Sequence, residues 1–273
     1  MTERYIDVAG GRLAVHDFGT GPALVLLHAD IVDSWAWEPL TPFLLDAGYR
    51  VVAFDRRYLG GSRTDDVSYS NRADTIAVLD ALKLDRAALV GNSVGGQIAL
   101  DTAIEAPARV AALVTIGSIV PDWWPGMTPE EEALEAELER IAESGDPGAI
   151  ADADVRAWVD GPGQPADRVP EDIRELVREM DRAINEPGRE SGRPIPLQPP
   201  ASERLDALTM PVLAICGDLD FSYHLKSAEY LGAHAPDGRT EIVPGVAHMV
   251  GLEAPEELGA LITGFLASIA RWS

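Results

Sequence analysis

Five short apolar runs constrain what this chain can fold into more than any other feature. They stand at Ala23 to His28 (ALVLLH), Arg50 to Asp55 (RVVAFD), Ala87 to Gly91 (AALVG), Val110 to Ile116 (VAALVTI) and Val212 to Cys216 (VLAIC). Each has the length of a strand and none alternates apolar with polar residues, the pattern of strands buried on both faces of a parallel sheet. Helix-like segments over 34–47, 72–82 and 94–105 separate them, and another over 255–270 ends the chain. Strand and helix in alternation give the α/β class with right-handed crossovers. The opening YIDVAGGRLAVHDFG reads as a hairpin turning at Gly10 and Gly11.

The rhythm stops between about Val120 and Leu205. This interval is rich in acid and alanine, and GPGQPADRVP and EPGRESGRPIPLQPP break it into helical pieces. It reads as a helical insertion in the sheet-forming pattern, with the last proline-rich stretch as the return linker. Its glutamate run PEEEALEAELER lacks a histidine and reads as a solvated helix face rather than a metal site.

A chain of 273 residues is long enough for one large domain with such an insertion. Its formal charge of −23, from 45 acidic against 22 basic residues, argues against a nucleic-acid partner and for a surface kept soluble by self-repulsion. The single cysteine, Cys216, lies in an apolar run, so neither a disulfide nor a thiolate metal site is expected. The amino terminus lacks the apolar core of a signal peptide, and no run of membrane-spanning length occurs, so the expected setting is cytoplasmic, with no membrane partner.

The stretch LVGNSVGGQ then sets one serine, Ser93, among Gly91, Gly95 and Gly96, directly after an apolar run. A serine is useful as a nucleophile when a sharp strand-to-helix turn exposes it at the end of a central strand. Flanking Cβ atoms would collide with the neighbouring strand or helix in such a turn, and glycine removes them. The helix that opens at Val94 also directs its first N–H groups and positive dipole end to the space before Ser93.

In this context the G-x-S-x-G pattern resembles the nucleophile elbow of the α/β-hydrolase superfamily. The resemblance extends over the whole chain and implies an α/β-hydrolase fold: a mostly parallel sheet flanked by helices, a core in two parts over 1–119 and 206–273, and a helical lid over 120–205. It implies a triad in the order Ser93, Asp220, His248. Asp220 follows VLAICG, where the superfamily carries its acid, and His248 follows TEIVPGVA. Asp218 and Asp122 compete for the acid. Among the other histidines, His16 sits in the hairpin, His28 ends a buried strand as a structural hydrogen-bonder, and His224 and His234 flank exposed helix. The implied chemistry is acyl transfer through an acyl-enzyme on a small-molecule substrate, with an oxyanion held by the backbone N–H groups of Asp30 and Val94. The resemblance implies neither metal nor organic cofactor. Oligomeric state is not legible.

Two positions depart from the superfamily. Relatives commonly follow the histidine of the third strand with glycine and an apolar or small residue, whereas this chain has Ala29 and Asp30. A carboxylate about 5 Å from a developing oxyanion would repel it by about 3 kcal/mol at an effective dielectric near 20, comparable with what one oxyanion-hole donor supplies. Asp30 must then turn away, pair with a cation, be protonated by burial, or serve other chemistry; an alternative is a side chain that caps the following turn. The second departure is Tyr58 in DRRYLGGS, where relatives usually have glycine, and it reads as packing, with pocket contact as the alternative. GNS at the elbow is similar to carbon-carbon hydrolases of aromatic ring cleavage, but their glycine-rich oxyanion motif is absent. Trp35, Trp37, Trp123 and Trp124 are the candidate pocket aromatics, with Trp158 read as core. The expected function is hydrolysis of an ester, lactone or thioester on a small to medium apolar molecule. The rivals are a cofactor-free lyase or biosynthetic cyclase using Asp30 and His248, and a ligand-binding receptor with a retained pocket.

Overall fold

The computed structural model describes residues 2–188 and 192–269. All five apolar runs are strands: β3 (Ala23–Leu27), β4 (Arg50–Phe54), β7 (Ala87–Asn92), β8 (Val110–Ile116) and β10 (Val212–Gly217). The expected hairpin is β1 (Thr2–Val8) paired antiparallel with β2 (Gly11–Phe18), and β11 (Gly238–Val243) completes the main sheet. Short β5 (Arg63–Thr64) pairs with β2, while β6 (Ser68–Tyr69) pairs with β9 (Arg193–Pro194) apart from it. The main order is β1-β2-β4-β3-β7-β8-β10-β11, parallel from β4 to β11. This is the α/β-hydrolase fold.

The strands lack alternation because both faces of the sheet are covered. On one face Val25, Leu27 and Leu89 pack against α2 (Asn71–Ala81), α3 (Val94–Glu105) and α7 (Ser222–His234). On the other Leu24, Leu26 and Val90 pack against α1 (Thr41–Asp46) and α9 (Pro255–Ala267). Burying such side chains contributes about 1.5 to 3 kcal/mol each. The expected helix over 34–47 is broken into a 3-10 turn, Ser34–Trp37, and α1. Pro39 lies in the break and Pro42 in the first turn of α1, since proline has no N–H to donate to the carbonyl one turn back. The last helix ends at Ala267, and position 270 of the expected segment lies outside the described residues.

From β3 the chain passes to β4 on one side and returns to β7 on the other, so the loops after β3 and β7 diverge at the carboxyl edge of the sheet. Such a switch point opens a crevice. The residues between β8 and β10 lie beside that edge and carry α4 (Pro129–Ala142), α5 (Pro147–Asp154), a π-helical turn over Val155–Asp160 and α6 (Glu171–Ile184). Three contacts hold them down. Glu131 closes a capping box with Thr128 and also accepts from the backbone N–H and hydroxyl of Ser222 at the start of α7. Glu135 accepts from the Tyr223 hydroxyl at 2.8 Å. Arg168 donates to the carbonyls of Val159 (2.6 Å), Asp160 (2.7 Å) and Gly245 (3.0 Å) and pairs with Glu253 at 2.6 Å. The glutamate run is therefore not wholly a solvated face: Glu131 is buried, because α4 uses it to grip α7. Short α8 (Val250–Glu253) supplies Glu253, which also accepts from Ala247 N–H at 2.9 Å. No helix of the described residues is long and apolar enough to cross a membrane.

Buried charge fixes the loop after β4. Arg57 meets Asp74 of α2 through two parallel bonds of 2.6 and 2.8 Å and donates to the carbonyls of Ala9 (2.9 Å) and Gly10 (3.1 Å) in the hairpin turn. Both side chains are buried, so removing one partner leaves an uncompensated charge. Asp74→Asn is expected to cost about 3 to 5 kcal/mol in urea unfolding, and the joint replacement Arg57→Met with Asp74→Leu distinctly less than the single one.

His28 joins β3 to the same loop. Its Nε2 accepts from Arg56 N–H at 3.0 Å, and its Nδ1 donates to the Ala29 carbonyl at 2.7 Å, an arrangement that requires the neutral ring. Burial, reinforced by the Arg56 charge, pushes the imidazole down to about 4. The unfolded chain then binds a proton that the folded chain refuses, so this stabilisation is present above about pH 6.5 and lost as pH falls toward about 4, at up to about 1.4 kcal/mol per pH unit. Stability measured by urea titration across this window should fall less steeply in His28→Gln, whose side-chain oxygen can still accept from Arg56.

Candidate active site

Ser93 follows β7 in a conformation that side chains rarely adopt, φ 54° and ψ −123°, and α3 begins at the next residue. The two glycines of the pentapeptide make this possible. A Cβ on Gly91 would collide with the backbone of Gly95 and Gly96, and one on Gly95 would collide with the carbonyls of Leu27 and His28 at the end of β3. The strained turn is held from several sides: Ser93 N–H donates to Ile116 O at 2.8 Å, and its own carbonyl accepts from Ser118 Oγ at 2.7 Å. Asn92, buried beside it, donates to Ile116 O at 3.0 Å and to the backbone oxygen of His248 at 3.3 Å.

The last of these bonds brings the loop after β11 to the elbow. There His248 Nδ1 lies 2.8 Å from Asp220 Oδ2. Asp220 Oδ1 accepts from Phe221 N–H at 2.7 Å and lies 3.1 Å from Nδ1 of His224, one helical turn on. Burial alone would raise this carboxyl, but the two imidazoles and their hydrogen bonds outweigh it and hold Asp220 well below the usual carboxylate range. His224 is thus a second histidine on the same acid. It is buried, against the expectation that it flanks exposed helix, because Phe221, Tyr223 and Trp158 cover that face of α7. Trp158 also packs on His248, ring centroids 4.9 Å apart. Gly117, at φ +51°, leaves room for the pair: a Cβ there would stand 3.0 Å from both Asp220 Oδ2 and His248 Nδ1.

Donor atoms of Asp220, His224 and His248 lie within 4.8 Å of one another, the one cluster among the described residues with metal-ligand spacing. Both Nδ1 atoms already face the two carboxylate oxygens, so a cation seated among them would have to displace both hydrogen bonds. The competing acids sit elsewhere. Asp218 is exposed and accepts from Gly245 N–H at 2.6 Å; Asp122 is exposed at φ 62°, in the wall of a separate cleft. His16 packs on Trp35 in the hairpin, and His234 ends α7. Cys216 is buried, and burial together with Asp220 pushes its thiol far up, as its apolar run implies.

Ser93 and His248 share the wall of one cavity of about 660 Å³ with Ala29, Asp30 and Val94. Residues carried between β8 and β10 form the facing wall, among them Asp154, Trp158, Asp181 and Glu186. Asp30 is paired with a cation, one of the outcomes its position demands: Arg56 Nη2 lies 2.5 Å from Asp30 Oδ1 and 3.2 Å from the Ala29 carbonyl. The Asp30 side chain is half-exposed, and the Arg56 guanidinium holds its carboxyl below the usual range, ionised. Two expectations about aromatic residues fail. Trp35, Trp37, Trp123 and Trp124 do not line this cavity: Trp35 lies on His16, Trp37 is buried beside Gly251, Trp123 stacks on Tyr230, and Trp124 lies near Tyr223. Trp158 lines it instead, since the π-helical turn delivers it over His248. Tyr58 also lines it rather than serving only as packing, turned there by a backbone at φ 58°.

Comparison with known proteins agrees with the fold. The model of the alpha/beta hydrolase fold family matches residues 22–255. A Bacillus subtilis protein named provisionally as a 2-succinyl-6-hydroxy-2,4-cyclohexadiene-1-carboxylate synthase is 31% identical, over 95% of this chain and 96% of its own. The 3-oxoadipate enol-lactonase 1 of Acinetobacter baylyi is 24% identical over 91% of this chain and 90% of its own. Among solved structures, an esterase from Exiguobacterium antarcticum superposes with a TM-score of 0.79 at 20% identity, covering 98% of this chain and 100% of that one. With a family model spanning most of its length and a relative of this identity along nearly all of it, the chain is an enzyme of the α/β-hydrolase fold family.

Proposed function

We propose that the chain is a serine hydrolase of an ester, lactone or thioester, with Ser93 as nucleophile, His248 as base and Asp220 as the acid that orients it. The observation that carries this reading is the 2.8 Å contact of His248 Nδ1 with ionised Asp220, in a cavity whose wall also holds the strained Ser93. With Nδ1 tied to Asp220, Nε2 is the nitrogen left to take the Ser93 proton. The serine oxygen attacks the carbonyl, and the oxyanion is met by the N–H groups of Asp30 and Val94. The imidazolium returns its proton to the leaving oxygen or sulfur, and an acyl-enzyme remains. Water, deprotonated by His248, cleaves it to the acid. Residues 120–205 serve as the lid of this site, gripped through Glu131 and Arg168.

Asp30 fits this chemistry because Arg56 neutralises it. The repulsion of about 3 kcal/mol expected from a bare carboxylate beside the oxyanion is removed when a guanidinium lies at 2.5 Å. The same pairing weighs against the lyase or cyclase reading, in which Asp30 serves as an acid, since an aspartate held ionised has no proton to give. That second reading draws its support from the Bacillus subtilis relative, named as a synthase. The name of that relative's product carries a carboxylate, and no Lys or Arg among the described residues lines the cavity here to receive one. The enol-lactonase relative favours hydrolysis.

An activated phosphonate should label Ser93, and Ser93→Ala should abolish labelling and lower kcat on an aryl ester by on the order of 10⁴ to 10⁶. Asp220→Asn should cost on the order of 10⁴, with Asp218→Asn and Asp122→Asn within about tenfold of the parent. Intact-mass analysis and steady-state rates read both; labelling that survives in Ser93→Ala sinks the triad. Arg56→Gln, which leaves Asp30 bare beside the oxyanion, should slow acylation by a neutral aryl ester about 100-fold, and adding Asp30→Asn should restore most of the loss. Burst kinetics that do not change in Arg56→Gln would mean that the Asp30 carboxylate does not feel the oxyanion.

A further inference from the structure

The wall that faces Ser93 is acidic. Asp154 ends α5, and Asp181 stands in the last turns of α6; the packing of the two helices brings their carboxyls together, with Glu186 beyond them and Asp30 across the cavity. Among the described residues no Lys or Arg lines this space. Arg56 is engaged by Asp30 and Ala29 O. Asp181 is 2% exposed, its Oδ1 accepts from Asn185 at 3.1 Å, and its Oδ2 meets no donor group. The contact between the Asp154 and Asp181 carboxyls becomes a hydrogen bond only when one holds a proton, and burial together with the Asp154 charge pushes Asp181 up to about 8. The pair therefore keeps one negative charge near neutral pH. Trp158, whose indole N–H donates to Asp154 at 3.3 Å, adds an aromatic ring to the same wall.

We propose that this cavity selects a substrate carrying an ammonium group, drawn by the single charge of the Asp154–Asp181 pair and seated beside the Asp154 carboxyl and the Trp158 ring, with its acyl carbon before Ser93. This rests on the hydrolase reading and names its substrate class. An ammonium supplies the positive charge that the acid pair lacks, and a cation gains from a neighbouring indole as well. A substrate carboxylate at the same place would meet two acids and, among the described residues, no cation. An acyl chain bearing an amine is thus drawn in and one bearing a carboxylate is kept out.

The test compares three p-nitrophenyl esters of one chain length: ω-aminohexanoate, hexanoate and the adipate monoester. At physiological salt, where surface charge is screened, kcat/KM should favour the amino ester over the adipate ester by about 100-fold or more. The double variant Asp154→Asn with Asp181→Asn should shrink that ratio to within about tenfold. Glu139→Gln, on the exposed face of α4, should leave it as it is. The same preference is read without turnover by calorimetric binding of hexyltrimethylammonium and of hexanoate to the Ser93→Ala protein, where only the first should bind. Binding of the ammonium by a protein that hydrolyses none of the esters would overturn the triad and uphold this site. An adipate ester used as well as the amino ester, equal binding of the two ions, or an unchanged ratio in the double variant would overturn the site and leave the triad standing.

Discussion

The architecture depends on one close approach, that of the first turn of α3 to the end of β3. Gly95 lies so near the carbonyls of Leu27 and His28 that no side chain fits between them. That contact fixes where β7 must stop, forces Ser93 to φ 54°, and directs the start of α3 at the crevice. The strain, of order 1 to 3 kcal/mol for a residue in such a conformation, persists because its surroundings over-determine it. Ile116 O receives both Ser93 N–H and the Asn92 side chain, and Ser118 caps the Ser93 carbonyl. The elbow is therefore built into the β7–β8 ladder, and its geometry does not depend on a mobile loop.

A second set of constraints converges on Asp220. A buried carboxylate is stable only when its lone pairs are satisfied, and here two imidazoles and the Phe221 N–H satisfy them. Each of those groups is placed by a different part of the chain. Phe221 and His224 come from the start of α7; His248 comes from the loop after β11, whose position depends on Asn92 of the elbow and on Glu253. Arg168 joins that loop to the residues between β8 and β10, so the segment carrying Trp158 is registered against the histidine it covers. The charged groups at the edges of the site thus act as fasteners between segments distant in sequence.

How much of this is legible in the sequence follows from the range of the forces involved. Strands buried on both faces, the glycines of the elbow and the chain order of Ser93, Asp220 and His248 are local or ordered signals, and the structure brings these three residues to one place. The break at Pro39 and Pro42 is equally legible in the sequence, in the prolines rather than in the apolar spacing. His224 carried a visible signal too, since DFSYH spaces it one turn from Asp220, but its burial is decided by Trp158 from another segment. The tryptophans show the limit more sharply. Residue type does not say what a ring will meet, so Trp37 is buried in the core, Trp123 packs against it, Trp35 and Trp124 stay exposed, and Trp158 reaches the cavity. Asp154 and Asp181 sit in an acid-rich stretch where solvated faces are the rule, and only the packing of α5 on α6 makes them neighbours.

The distribution of charge separates the two walls of the cavity. On the core side every acid has a cationic or dipolar partner: Asp220 has its histidines and a backbone N–H, Asp30 has Arg56, and Asp55 accepts from the backbone of Ser34 and Gly61. Those carboxylates are partnered by groups already in place before any substrate arrives, which is what electrostatic preorganisation requires. On the facing wall the Asp154 and Asp181 carboxyls have no cation and stabilise one another by sharing a proton. A scaffold optimised for stability alone would replace one of the pair with an amide or an apolar residue. On the proposed reading the specificity of the site lies on the facing wall and its chemistry on the sheet.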